Sequence, residues 1–124
     1  MKIVTFARQK NEMWETVKAH FPKDSIELCT TLSSFAVKLF EFRFDETIAV
    51  LLPANEEELI DMYSVQNLFD GIPIMVVLPD RNNLTEAIGY RLKPRFVCYS
   101  ENSATESISM LGNMVKNSLI GPRK

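Results

Sequence analysis

Two stretches of this chain leave little room for a polar face: Ile48-Ala49-Val50-Leu51-Leu52, and Ile72-Pro73-Ile74-Met75-Val76-Val77-Leu78. A half-exposed strand alternates apolar and polar residues, and an amphipathic helix repeats every three to four. A short strand that is apolar throughout needs cover on both of its faces, which is the situation of a central strand in a parallel sheet with helices above and below. Pro53 ends the first run. Pro73 stands among the first residues of the second, where a missing backbone N–H is tolerated.

The remainder of the chain supplies what such a sheet requires. Lys2 to Ala7 reads as a buried strand, and Asn11 to His20 as a helix with Met13, Trp14, Val17 and Phe21 on or near one face. Pro22-Lys23-Asp24 is a turn, and Ser25 to Cys29 a second strand. Leu32, Phe35, Ala36, Leu39 and Phe40 follow helical spacing. Thr47 to Leu52 is the third strand. A helix begins after Asn55, which can cap it, with Glu58 reaching back as in a capping box. Gly71 closes that region before the fourth strand, Ile72 to Leu78. Asn83 with Glu86 repeats the capping pattern before a short helix carrying Leu84, Ala87 and Ile88. Arg95 to Tyr99 is the fifth strand. Ser103 with Glu106 opens a last helix with Ile108, Leu111, Val115 and Leu119 at core spacing, stopped by Gly121-Pro122. Five strand–helix units in strict alternation imply right-handed crossovers and an α/β fold, a three-layer α/β/α sandwich around a parallel sheet.

A chain of 124 residues with these proportions, 46% hydrophobic and 24% charged, fits one domain spanning residues 1–124 and can bury a sizeable core. The net charge of −2 gives no pull toward nucleic acid or an anionic membrane. The apolar N-terminal stretch is too short for a signal peptide, and no segment approaches the roughly 20 apolar residues of a membrane span. The expected location is the cytoplasm. Cys29 and Cys98 form no Cys-x-x-Cys pair, and with His20 the only histidine no zinc set can be assembled. Glycine-rich nucleotide loops are absent, so no cofactor is expected.

Five units of this length resemble the flavodoxin-like fold, whose strand order is 2-1-3-4-5. Within it the chain resembles the receiver domain of response regulators over nearly its whole length, most clearly in Ile48 to Pro53 and in Gly71 to Leu78 with its Ile72-Pro73 pair. The resemblance implies an active site at the carboxyl ends of the strands. There, acidic residues after strands one and three hold magnesium, the acid after strand three accepts a phosphoryl group, a Ser or Thr follows strand four, and a Lys follows strand five. Oxygen ligands suit that hard cation, and fixed positive charge offsets the phosphoryl oxygens. This sequence departs at every position. Ala7 and Arg8 follow strand one, Pro53 stands at the acceptor position, Leu78 and Pro79 at strand four, and Ser100 and Glu101 after strand five. The acidic start of the helix after strand three, Asn55-Glu56-Glu57-Glu58, suits the helix dipole and would repel an incoming phosphate.

Two functional expectations follow. The first is a non-catalytic, pseudo-receiver-like signalling module that works through a protein partner or self-association. Its candidate interface is Ser107, Met110 and Met114 on the flank of the last helix, since methionine adapts well at contact surfaces; the alternative is that both methionines extend the core. The second is a flavodoxin-like ligand-binding protein or small enzyme using a cleft ringed by Arg8, Asn55, Asp80, Arg81 and Glu101, with Gln9 and Ser100 nearby. Asp80 and Arg81 could equally pair with one another. The loop Arg8-Gln9-Lys10-Asn11 lacks the glycines of a flavin phosphate loop. Cys29 and Cys98 fall on opposite edges of a 2-1-3-4-5 sheet and read as small buried hydrophobes. His20, at a helix C-terminus, reads as a surface residue.

Overall fold

The continuous apolar runs do become the middle of a sheet. A computed structural model of the chain describes residues 2–9, 12–42, 46–101 and 104–120. In chain order it contains β1 (Lys2–Phe6), α1 (Glu12–His20), a 3-10 turn (Lys23–Ser25), β2 (Ile26–Cys29), α2 (Leu32–Glu41) and β3 (Thr47–Leu51). Then come α3 (Glu56–Ser64), a second 3-10 turn (Gln66–Phe69), β4 (Ile74–Leu78), α4 (Asn83–Arg91), β5 (Phe96–Tyr99) and α5 (Ala104–Ile120). All strand pairs are parallel and the order is β2-β1-β3-β4-β5, the flavodoxin-like arrangement.

Every residue of β3 and of β4 is buried. Their side chains divide by alternation between two cores. Ala49, Leu51, Ile74, Val76 and Leu78 face a layer built from α2, α3 and α4, with Phe35, Leu39, Leu59 and Met62. Ile48, Val50, Met75 and Val77 face α1 and α5, with Met13, Val17, Leu111 and Met114. Each fully buried aliphatic side chain contributes about 1.5–3 kcal/mol relative to exposure. The first core is keyed by aromatics. Phe35 stacks on Phe6 with centroids 5.1 Å apart and meets Phe69 at 5.6 Å in a tilted pair.

Several local expectations are corrected. Phe40 does not join the core; it is 64% exposed, because Phe35 and Leu39 already fill the space between α2 and the sheet. On α4 the apolar Leu84 is 54% exposed and Ala87 is exposed, while the buried positions are Thr85 and Gly89. The helix lies too close to β4 for larger residues there: a Cβ on Gly89 would come within 2.7 Å of Leu78 Cδ2. The residue preceding α4 is Asn82, not Asn83, and it makes no side-chain cap bond. The expected helix start at Asn11, the Ser103 cap and the Gly121-Pro122 stop lie outside the described residues, as does the side chain of Leu119. Thr31 supplies a cap not anticipated from the sequence. Its hydroxyl accepts from Ser34 N at 3.1 Å, in a reciprocal capping box. Among the described residues, no helix is long and apolar enough to cross a membrane.

Candidate functional site

Ligands of open parallel sheets bind at the carboxyl ends of the strands, near the point where strand order reverses. Here that point lies between β1 and β3. Arg8 and Gln9 flank it from the end of β1 and Pro53 to Asn55 from β3; Pro79 to Asn82 after β4, and Ser100 and Glu101 after β5, lie farther along the same edge.

The β1–β3 side is occupied by internal pairings. Asn55 caps α3 as its position predicts, its side chain accepting from Glu58 N at 2.9 Å. Glu58 does not complete the capping box. One carboxylate oxygen accepts from Ala54 N at 3.0 Å and the other from Gln9 Nε2 at 2.7 Å. The Glu58 side chain is thus buried with both oxygens engaged, which ties the loop after β1 to the first turn of α3. Pro53, two residues past the end of β3, is itself buried and offers neither an acid nor an N–H. Arg8 Nη1 pairs with Asp61 Oδ2 on α3 at 2.9 Å. Both partners are more than a third exposed, so the pair contributes about 1 kcal/mol at most.

The β4–β5 side holds a separate set. Asp80 Oδ1 accepts from Asn82 N at 2.9 Å, closing a local turn. Arg81 pairs not with Asp80 but with Glu101, at 2.7 Å, and its guanidinium carbon lies 3.8 Å from the centroid of the Tyr99 ring. The Tyr99 hydroxyl donates to Glu86 Oε2 at 2.9 Å. Donation to that carboxylate, then burial, push the Tyr99 phenol well above its ordinary value. Ser100 Oγ donates to Pro79 O at 3.0 Å. The residues expected to share one cleft therefore engage different elements: Arg8 and Asn55 with α3, Arg81 with the loop after β5. A groove of about 320 Å3 does open beside Arg8, against Trp14 and Leu28, and Asp80, Arg81 and Glu101 are not among its walls.

No protein-family model, curated protein or solved structure matches this chain.

The last-helix expectation is corrected by burial. Ser107 and Met114 are each 2% exposed and Met110 is partly buried, so all three face the sheet and α1 rather than solvent. Met110 Sδ lies 3.3 Å from Cys98 Sγ. Cys98 and Cys29 are buried on the two edge strands, and burial raises both thiols above the ordinary value. His20 is exposed, with Nδ1 3.0 Å from Thr16 O. Among the described residues, no cluster of three or more His, Cys, Asp or Glu is placed to hold a metal ion. The side chains that shape the edge and escaped sequence reasoning are Asp61, Glu86 and Tyr99. Only the Asn55-x-x-Glu58 spacing carried a signal, and it pointed Glu58 at the wrong N–H.

Proposed function

We propose that the chain is a receiver-like module without phosphoryl chemistry, acting through protein contacts. The observation that carries this reading is the state of the β1–β3 edge. Where a receiver would hold magnesium and an acceptor aspartate, this chain has a buried proline and a Gln9–Glu58–Ala54 hydrogen-bonded seal. The polar groups of the β1–β3 junction are engaged with one another, and the fold around it is intact. Apolar surface suited to contacts is present elsewhere, including Val37 at 55% and Phe40 at 64% exposure on α2. The alternative, a small-ligand cleft or enzyme site spanning Arg8, Asn55, Asp80, Arg81 and Glu101, draws less support because both arginines are already ion-paired, on different sides.

The test is an amide NMR spectrum of labelled protein, alone and with magnesium and beryllofluoride, at two protein concentrations. The expected result is no response to beryllofluoride and concentration-dependent shifts on a helical face. Stoichiometric, magnesium-dependent labelling by a small phosphodonor would overturn the reading.

A further inference from the structure

At the opposite end of the sheet, the segment Asp70-Gly71-Ile72-Pro73 leading into β4 separates two cavities. One, of about 500 Å3, lies against α2 and is walled largely by apolar side chains such as Leu39, Phe40 and Leu68. The other, of about 540 Å3, lies between the same segment and the turn from α4 into β5. Its walls are different in kind. One five-residue stretch supplies Arg91, Lys93 and Arg95, and among the described residues the only carboxylate in the lining is Asp70. The chain as a whole carries a net charge of −2, so this local excess of positive charge opposes the global sign.

The turn that carries these cations has an unusual backbone. Lys93 has φ 55, in the left-handed region, directly after the end of α4 at Leu92. That position of a helix end usually carries glycine, because an L side chain is strained there. A lysine at Lys93 sets a cation on the cavity wall in a conformation that glycine would adopt more easily. Pro94 follows, and Arg95 N donates to Ile74 O at 2.8 Å, which fixes the turn against β4. Arg91 is the last residue of α4 and lies on the same wall. On α3, the Tyr63 phenol is held below its ordinary value by the nearby Arg91 and Gln66, two residues of that wall. The cavity falls within the roughly 300–1,000 Å3 of small-molecule sites, so a bare ion would leave much of it unfilled.

We propose that this cavity binds a small molecule carrying two or more clustered anionic oxygens, held by Arg91, Lys93 and Arg95. Among the described residues, three cations against Asp70 leave an excess of two positive charges, which matches a phosphate ester or a polycarboxylate. The site lies at the end of the sheet away from the sealed edge and stands whether or not the receiver-like reading holds. If both hold, the module has a chemical input that does not require phosphorylation.

The experiment is isothermal titration of the full chain with pyrophosphate, ATP and citrate at constant ionic strength, joined to amide shift mapping. Saturable binding with shifts at Gly71, Lys93 and Arg95 is expected. Saturation by pyrophosphate or ATP identifies a phosphate ligand, and saturation by citrate alone a carboxylate one; either supports the site. Lys93→Gly should weaken binding at least about tenfold while the melting temperature holds or rises. Arg95→Gln, altering an exposed side chain, should weaken it likewise. No saturable binding by any of the three anions would overturn the proposal. So would undiminished binding in both variants, or shifts confined to the neighbourhood of Arg8 and Lys18.

Discussion

Gln9 Nε2 donates to Glu58 Oε2 at 2.7 Å, across 49 residues of sequence. A carboxylate buried at a helix start is here satisfied by a neutral amide and a backbone N–H rather than by a cation. Glu58→Ala removes the acceptor of both donors and should destabilise the fold by about 1–3 kcal/mol, read from urea denaturation. Glu58→Gln keeps one carbonyl for Ala54 N and leaves Gln9 free to turn its amide, so its cost should stay below about 1 kcal/mol. Equal losses in the two variants would show that the pairing does not matter.

Phe35 and Phe40 lie on one helix and should respond oppositely to truncation. Phe35 is fully buried between Phe6 and Phe69, and Phe35→Ala should cost about 3–5 kcal/mol. Phe40→Ala should change stability by no more than about 0.5 kcal/mol. Thermal melts of the two variants check the contrast.

Installing an acceptor alone should not create phosphorylation. Pro53→Asp places a carboxylate in a buried position beside Glu58, so the variant should lose about 2 kcal/mol or more. It should also remain unlabelled by acetyl phosphate with magnesium, because no acid follows β1 and no lysine follows β5 at the edge. Intact-protein mass spectrometry reads the outcome.

The thiols should react slowly until the protein unfolds. Burial raises Cys29 and Cys98 above the ordinary 9.0, so the folded protein holds little thiolate at neutral pH. A disulfide reagent should modify the folded protein on the order of 100-fold more slowly than the denatured one. The same shifts set a pH dependence. The folded state retains thiol protons that the unfolded chain has released, so this contribution to stability is fully present below the ordinary value. It is lost as pH rises through the raised folded values. Tyr99, also raised, acts in the same direction. Urea midpoints should therefore fall in alkaline buffer and not between about pH 6 and 8.

The layered sheet was legible because runs such as Ile48 to Leu52 exclude one-sided burial. The helices were less legible, for reasons specific to each. In α4 the search for apolar periodicity selected Leu84, but the closeness of helix and strand requires small residues, and the buried face reads Thr85 and Gly89. In α5 the positions assigned to a flank, Ser107 and Met114, are as buried as Leu111, because α1 packs beside the helix and widens its covered stripe. That the strand ends lack the acidic and lysine set a receiver would need was readable residue by residue. What replaces it was not, since the Gln9–Glu58 and Arg8–Asp61 pairs depend on how a loop and a helix meet in space. The cationic cavity was equally silent: Arg91, Lys93 and Arg95 read as dispersed charge until the left-handed turn at Lys93 gathers them on one wall.

The open borders of the sheet are its shortest members. β2 and β5 each span four residues, against five in β1, β3 and β4. A foreign strand docking on either border would find only a few backbone groups to pair with, too short a template for fibril growth or strand exchange. Edge-to-edge pairing of two sheets is thereby limited at both borders, whatever the helical layers contact.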